Sequence, residues 1–307
     1  MDSTMKVFER PVGEAVPPDP QRPATMLASW ASRVVGPLEE MPWLDRVGSE
    51  VSRWLQPLLD RPGAGRVMDL LHGRQLGHAL HPVLTDLPIG FWTSAAVLDL
   101  FGARLSSRLL NACGCVSAVG AAATGFADWT VTGGRDRRLG LFHGMLNVGG
   151  LACQLVALTS WGSRRRSWSW AGLTISTAAA YLGGELVFGR GLMVDRNAWT
   201  AGPREWTAVM PEADLLEGSM KPVEVEGRTV LLTRERGQIN ALEGRCGHAG
   251  GPLHEGTLKA GVVTCPWHGS QFDVTDGFCV RGPATFPQPR LEARVRGGRI
   301  QVRGRQD

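Results

Sequence analysis

The sequence has little net charge, no apolar run near its N-terminus and no cysteine pattern typical of a secreted protein. A formal net charge of +4 over 307 residues gives no reason to expect a nucleic-acid partner. Residues 1–40 contain prolines and charges where a signal peptide needs an apolar stretch, and they predict a disordered, proline-rich tail. The six cysteines are not spaced as a disulfide framework. We therefore expect the polar parts of the chain in a reducing, cytosol-facing environment.

Residues 42–60 have the pattern of an amphipathic helix. Apolar side chains recur at helical spacing, among them Leu44, Val51 and Leu58, and charged ones such as Asp45 occupy the other face. Two interpretations are open. The apolar face packs on the protein's own helices, or it lies in the plane of a membrane surface.

Four long apolar segments follow, which is unusual for a soluble protein. Each is about 20 residues long, the length that a helix needs to cross the hydrocarbon core of a bilayer. Arginines lie at the breaks between segments and tryptophans at segment ends, as at a membrane surface. The pattern predicts an α-helical four-helix transmembrane bundle over residues 72–196, with the lipid bilayer as its partner. The segments are residues 81–102, 109–127, 141–161 and 170–188.

With four spans, both ends of the chain lie on one side of the membrane. Seven arginines fall on that side and five on the other, so the positive-inside rule places both ends in the cytoplasm. We expect a multi-pass protein of the inner cell membrane with a cytoplasmic C-terminal domain. The first set is Arg66, Arg74, Arg135, Arg137, Arg138, Arg190 and Arg196, and the second is Arg104, Arg108, Arg164, Arg165 and Arg166.

After Trp206, short alternating strands between glycine-containing turns predict a compact all-β domain. It contains Cys246-Gly247-His248 and, after sixteen further residues, Cys265-Pro266-Trp267-His268. Two thiolates can hold one iron and two imidazoles the other iron of a [2Fe–2S] cluster. A Cys2His2 zinc site is the alternative, although zinc sites usually pair Cys with Cys and His with His at short spacing. We expect the metal ligands to be Cys246, His248, Cys265 and His268.

The stretches CGHAGGPLHEG, CPWHGSQFD and GFCVRGPAT resemble the Rieske family, ferredoxin type, over about residues 204–304. The resemblance implies a [2Fe–2S] cluster, single-electron transport and a C-terminal domain over residues 204–305. It also implies that Gly282-Pro283-Ala284 belongs to a proline loop covering the cluster.

The sequence departs from the family members that oxidise quinols in respiratory complexes. Those have a further Cys in each loop, where this chain has Gly251 and Trp267. They also hydrogen-bond the cluster with a Ser and a Tyr. Ser270 is present here, but Phe272 replaces the Tyr. Fewer donors stabilise the reduced cluster less, so we expect a potential of roughly −150 to +50 mV, in the lower half of the Rieske range.

Rieske oxygenases also need a mononuclear iron held by two His and a carboxylate in a further domain. The 39 residues after His268 contain no His. We therefore expect an electron carrier or oxidoreductase component rather than a stand-alone enzyme.

Within the helical part, GHALHP at residues 77–82 and DLPIG at residues 86–90 resemble a bacterial membrane-domain family of unknown function. The resemblance covers about residues 72–196 and implies no activity.

Two histidines of the bundle are candidates for a second cofactor site. His81 and His143 begin the first and third spans, which run in the same direction, so both should lie at a similar depth. We expect Asp86, Asn147 and Glu185 near the same membrane face. Three interpretations are open: the two His ligate a b-type haem, they handle protons in a quinone pocket, or they only cap helix starts.

Together these features predict a membrane-anchored Rieske protein that passes single electrons between an unknown soluble partner and a membrane acceptor, haem or quinone. The alternative is a tethered ferredoxin or redox sensor for a separate oxygenase, with the bundle only as an anchor. A zinc-stabilised membrane adaptor without redox activity is a third hypothesis.

Overall fold

A computed structural model describes residue 33 and residues 35–305, in which a helical part precedes an all-β domain. The helices are α1 (Pro42–Leu59), α2 (Ala64–His72), α3 (His81–Leu100), α4 (Arg104–Thr130), α5 (Gly134–Thr159) and α6 (Gly162–Gly184), which continues as a π-helical turn over Glu185–Gly189. The strands are β1 (Thr207–Pro211), β2 (Met220–Val225), β3 (Arg228–Glu235), β4 (Gln238–Glu243), β5 (Thr257–Lys259), β6 (Val262–Thr264), β7 (Gln271–Asp273), β8 (Cys279–Arg281), β9 (Arg290–Arg296) and β10 (Arg299–Gly304).

The predicted disordered tail over residues 1–40 is wrong at its C-terminal end. Residues 35–39 are helical, and Val35 and Leu38 are buried against Leu139 and Leu182 of the bundle. This burial supplies the apolar contact that a disordered segment lacks. The rest of the predicted tail, residues 1–32 and 34, lies outside the described residues.

The first half of helix α1 follows the first of the two interpretations of its amphipathic pattern. Leu44 is buried, and Gly48 lies close to the Trp129 ring, since a Cβ at Gly48 would stand 3.4 Å from Trp129 Cζ2. The first half of α1 therefore packs on the bundle. Farther along, Trp54 is 80% exposed and Leu58 is 47% exposed. A membrane-surface position for that second half stays a prediction.

Helices α3 to α6 are long and apolar enough to cross a membrane. Large apolar side chains point outward along them, including Val83, Leu109, Val116 and Val148. Such a surface suits lipid rather than water. The prediction of a four-helix transmembrane bundle followed by an all-β domain is confirmed.

The bundle consists of two helical hairpins. Helix α3 packs along α4 and α5 along α6, with sparser contact between the hairpins. A buried ion pair ties the hairpins together at the end far from the β domain, where Asp99 of α3 meets Arg165 of α6. Arg165, counted above as a charge between spans, is therefore part of a helix and buried.

The C-terminal domain has two antiparallel sheets. Six strands pair in the order β1-β10-β9-β4-β3-β2, and four pair in the order β5-β6-β7-β8. Alternate residues of β10 are buried, which is the period expected for a half-buried strand, whereas the central residues of β3 are buried on both faces. The predicted ligand loops leave the ends of β4 and β6, next to a core that includes Phe272 and Leu253.

Candidate metal centre

Two loops carry the predicted metal ligands, and both fold in the same way. In the loop after β4, Gly250 donates its N–H to the Cys246 carbonyl, and Cys246 donates its own N–H to Gly251. In the loop after β6, Gly269 and Ser270 make the same two bonds with Cys265, at 3.1 and 2.8 Å. Gly250 and Gly269 have φ angles of 82° and 75°, which L side chains rarely adopt. Each loop therefore presents its Cys and His from an equivalent turn.

The two cysteine thiols are in contact at the buried end of the site. Cys246 and Cys265 are both buried, and Cys246 donates to the sulfur of Cys265. This contact lowers the pKa of the Cys265 thiol to about 6. The same contact, together with burial, raises the pKa of the Cys246 thiol. Thiolates are the form that binds a metal, and the Cys265 thiol is already acidic before any metal arrives.

The two histidines lie beside the thiols. The rings of His248 and His268 stand at 88° to each other with centroids 4.9 Å apart. Burial lowers the pKa of both imidazoles, that of His248 to about 3. Both therefore stay neutral at physiological pH, which metal ligation requires. Within the described residues, His268 Nδ1 is buried and has no hydrogen-bond partner, as expected of a nitrogen reserved for a metal.

The donor set fits a two-iron cluster better than a single zinc ion. The thiols form one pair and the imidazoles another. A [2Fe–2S] centre of mixed ligation needs two ligands on each iron, and two pairs supply that.

His81 and His143 also come together. Their rings stand at 89° with centroids 6.3 Å apart, at the meeting point of all four helices. Asn147 lies next to them, with Nδ2 3.2 Å from His143 Nε2. The other polar groups expected at this face are not in the cluster: Asp86 is exposed, and Glu185 lies 3.8 Å from Arg190.

Comparison with known proteins agrees with this geometry. A model of the Rieske [2Fe–2S] domain matches residues 205–292. Ferredoxin CarAc of Metapseudomonas resinovorans is 34% identical over 100 residues, which cover 32% of this chain and 94% of CarAc. The C-terminal domain belongs to the Rieske family. Such a domain binds a [2Fe–2S] cluster, which takes up and releases one electron at a time.

Other relatives share only this domain. Apoptosis-inducing factor 3 of Homo sapiens is 34% identical over 96 residues, so this chain spans 16% of that relative's length. A solved complex of reduced oxygenase and oxidized ferredoxin in carbazole 1,9a-dioxygenase contains a chain with 32% identity and a TM-score of 0.32, covering 33% of this chain and 95% of that one. A second family model, described as a predicted membrane protein (DUF2231), matches residues 77–196. The resemblances inferred from the sequence are confirmed for both parts.

The ligand loops of the Rieske domain meet where some relatives have a disulfide. A Cβ at Gly251 would stand 2.9 Å from Cys265 Sγ and 3.0 Å from the Trp267 ring. The loops are therefore in contact at this point without a covalent link, and a side chain at position 251 would push them apart.

Ser270 is the polar side chain best placed to tune the cluster. It is fully buried, its hydroxyl accepts the Ala284 N–H at 3.0 Å, and it reaches the Cys246 thiol. The nearby Phe272 is fully buried and has no hydroxyl. Ser270 therefore joins the proline loop to a predicted ligand.

We expect Ser270→Ala to lower the midpoint potential of the cluster by up to about 100 mV. A donor to a ligand sulfur stabilises the more negative, reduced state, and a hydrogen bond to a charged group contributes about 1.5–3 kcal/mol. An EPR-monitored redox titration measures the shift. Ser219→Ala, which removes an exposed hydroxyl that donates to the Leu216 carbonyl at 2.6 Å, is the control. An unchanged potential in Ser270→Ala would contradict the assignment.

The cluster end of the Rieske domain packs on α2, a contact that the sequence did not predict. Asp69 Oδ1 accepts the Gly282 N–H of the proline loop at 2.8 Å, and Asp69 Oδ2 lies 3.3 Å from Arg74 Nε. Arg74 also donates to the Cys279 carbonyl at 3.2 Å. The loop covering the cluster is thus held by the helical part of the chain.

Behind this contact lies a buried polar pair. His72 Nδ1 of α2 stands 3.0 Å from Asp128 Oδ1 of α4, and His72 is only 3% exposed. His72 is also close enough to His248 to affect its charge. An acidic residue directly after the second apolar segment was the sequence signal for this pair, but its partner comes from another helix.

Proposed function

We propose that this chain passes single electrons between a soluble partner and an acceptor in the membrane. Cys246 and Cys265 would hold one iron of the cluster, and His248 and His268 the other. The main observation that supports the proposal is the orientation of the Rieske domain. The end that contains the predicted ligand loops faces the membrane domain. A domain that served only soluble partners would gain nothing from directing its redox site toward its own anchor.

Several contacts support this orientation. In addition to the Asp69–Gly282 bond, Arg196 donates its N–H to the Gly247 carbonyl at 2.8 Å, between the two predicted ligands of the first loop. Asn197 Nδ2 donates to the Arg245 carbonyl at 2.9 Å. The segment that leaves the bundle therefore also supports the first ligand loop.

The second loop leaves an approach for a soluble partner. Trp267 is 56% exposed beside the half-buried His268. Exposed tryptophans are common anchors of protein contacts. We infer that the soluble partner docks over Trp267, while His248, close to His72, faces the membrane acceptor.

A second candidate is a tethered ferredoxin or redox sensor for a separate oxygenase. Its support is the likeness to ferredoxin CarAc along 94% of that protein. In either case, the arginine distribution favours the inner cell membrane with the Rieske domain in the cytoplasm.

Re-oxidation of the reduced cluster separates the two candidates. The full-length protein is placed in liposomes with or without ubiquinone in the lipid, the cluster is reduced without oxygen, and its EPR signal is followed. Faster loss of the signal with ubiquinone supports a membrane acceptor. If only a water-soluble acceptor such as ferricyanide oxidises the cluster, at equal rates in both liposomes, the tethered ferredoxin is the better description.

We expect Asp69→Ala to slow quinone-dependent re-oxidation about tenfold or more. The change removes a charge-assisted hydrogen bond from the proline loop and a partner of Arg74, and a loss of about 1.5–3 kcal/mol lowers the equilibrium constant for docking by that factor. The ferricyanide rate and the cluster spectrum should stay unchanged. Asp60→Ala, at an exposed position after α1, is the matched control. Equal quinone rates in the two variants would contradict a role for this contact.

A further inference from the structure

The two hairpins of the membrane domain repeat one arrangement around a histidine. His81 of α3 donates from Nδ1 to the Ala121 carbonyl of α4 at 2.9 Å, and His143 of α5 donates from Nδ1 to the Ala179 carbonyl of α6 at 2.8 Å. One turn after each acceptor comes a glycine. A Cβ on Gly125 would stand 2.5 Å from His81 Cε1, and one on Gly183 would stand 3.1 Å from His143 Cε1.

The repeat continues in the same register toward the other end of the bundle. Eleven residues after His81, Trp92 packs on Gly114, which lies eleven residues before Gly125. At the equivalent positions of the second hairpin, Gln154 packs on Gly172. His81 and His143 are therefore equivalent residues of an internal repeat, and they meet where the two hairpins face each other.

The separation of the two rings is that of a metal-bound pair. Metal–imidazole bonds of about 2.0–2.1 Å on opposite sides of one ion, with a ring radius of about 1 Å on each side, place the ring centroids about 6 Å apart. The observed centroids are 6.3 Å apart.

The hydrogen bonds select which nitrogen faces a ligand. A metal-bound His typically donates its other ring nitrogen to a backbone carbonyl or a carboxylate, which fixes the ring. Here both Nδ1 atoms are used in this way, and both Nε2 atoms remain for a ligand. Asn147 Nδ2 lies 3.2 Å from His143 Nε2, but it also lies 3.1 Å from the His143 carbonyl. The amide therefore keeps a partner when Nε2 binds a metal.

The donor set identifies the class of cofactor. Two imidazoles do not complete the coordination of a simple metal ion, and within the described residues no third His, Cys, Asp or Glu joins them. Haem iron brings four nitrogens of its own and needs only two axial ligands. Both histidines and both neighbouring glycines are only half-buried, so the protein does not cover this site completely.

We infer that His81 and His143 are the axial ligands of a b-type haem bound between the two hairpins. The role of this haem as the membrane acceptor rests on the proposed function, but the site itself does not. His72 and Asp128 lie between the cluster end of the Rieske domain and His81, with Asp128 within electrostatic reach of His81.

The test uses the full-length protein, produced with added haem precursor and purified in detergent. We expect one haem per chain, with the sharp α band of a six-coordinate haem after dithionite reduction. Because the ring planes are perpendicular, the ferric form should give a highly anisotropic low-spin EPR signal. His81→Ala and His143→Ala should each lose the low-spin spectrum, whereas His78→Ala, at an exposed position on the same face, should keep it.

The cluster EPR signal reports folding in every variant. If an alanine variant loses that signal as well, the variants His81→Met and His143→Met replace it in the test. A methionine at an axial position should retain a low-spin haem at a higher potential. A wild-type protein with a full cluster and no haem, or a double His→Ala variant that keeps the low-spin haem, overturns the inference. If the protein contains no haem but quinone in the membrane still oxidises the cluster, the proposed function is retained. Haem that exchanges no electron with the cluster, in a protein whose cluster is not oxidised by quinone either, refutes that function and leaves the haem site in place.

Discussion

The cluster of the His268→Cys variant is expected to have a midpoint potential more than about 100 mV below that of the unchanged protein, provided that the cluster assembles. A thiolate adds a negative charge to the iron that a neutral imidazole ligates, and this charge disfavours the reduced state. All-cysteine ferredoxins have potentials near −400 mV, whereas Rieske centres lie between about −150 and +300 mV. Exchange of one of the two imidazoles should cover a substantial part of that gap.

The structure makes this exchange a specific test of ligation. His268 is held by a loop whose turn is fixed at Cys265 and Ser270, so a shorter side chain at position 268 starts from the same backbone. Its Nδ1 has no other hydrogen-bond partner within the described residues. The measurement is a redox titration followed by EPR. His254→Cys, at a half-buried position between the two loops, should leave the potential unchanged. An intact cluster with an unchanged potential in His268→Cys would refute the proposed ligand set.

The sequence predicted the ligand loops because their chemistry is local. Each Cys lies two or three residues from its His, and the turn that joins them depends on a glycine only four residues away. A short stretch of sequence contains all of this information. The four spans were predictable for the same reason, since their length and hydropathy can each be read from one continuous segment of sequence.

The sequence did not predict the contacts between segments that are distant along the chain. Asp69, His72 and Asp128 acquire their roles only when α2 packs between the bundle and the Rieske domain. In the sequence, Asp69 and His72 are ordinary polar residues of an amphipathic helix. The same limit explains the error at residues 35–39, since Val35 and Leu38 of this proline-containing stretch pack on α5 and α6, which come much later in the chain.

The ion pair between Asp99 and Arg165 shows what such distant contacts contribute to stability. Asp99 is 4% exposed and Arg165 is 5% exposed, and Arg165 also donates to Ser107 of α4 at 3.2 Å. The pair joins the first helix of one hairpin to the second helix of the other, where contact between the hairpins is otherwise sparse. Removal of one partner leaves a charge buried without compensation at the end of a membrane helix.

We therefore expect Asp99→Ala to lower the free energy of unfolding by about 3–5 kcal/mol. Thermal unfolding in detergent, calibrated by an equilibrium method, measures the loss. Asp86→Ala is the matched control, because Asp86 is an exposed carboxylate on the same helix and its removal should change stability by less than about 0.5 kcal/mol. The double variant Asp99→Leu, Arg165→Met should recover most of the loss, since apolar replacement of both partners is often neutral. If Asp99→Ala were no less stable than the control, the pair would not be what holds the hairpins together at this end.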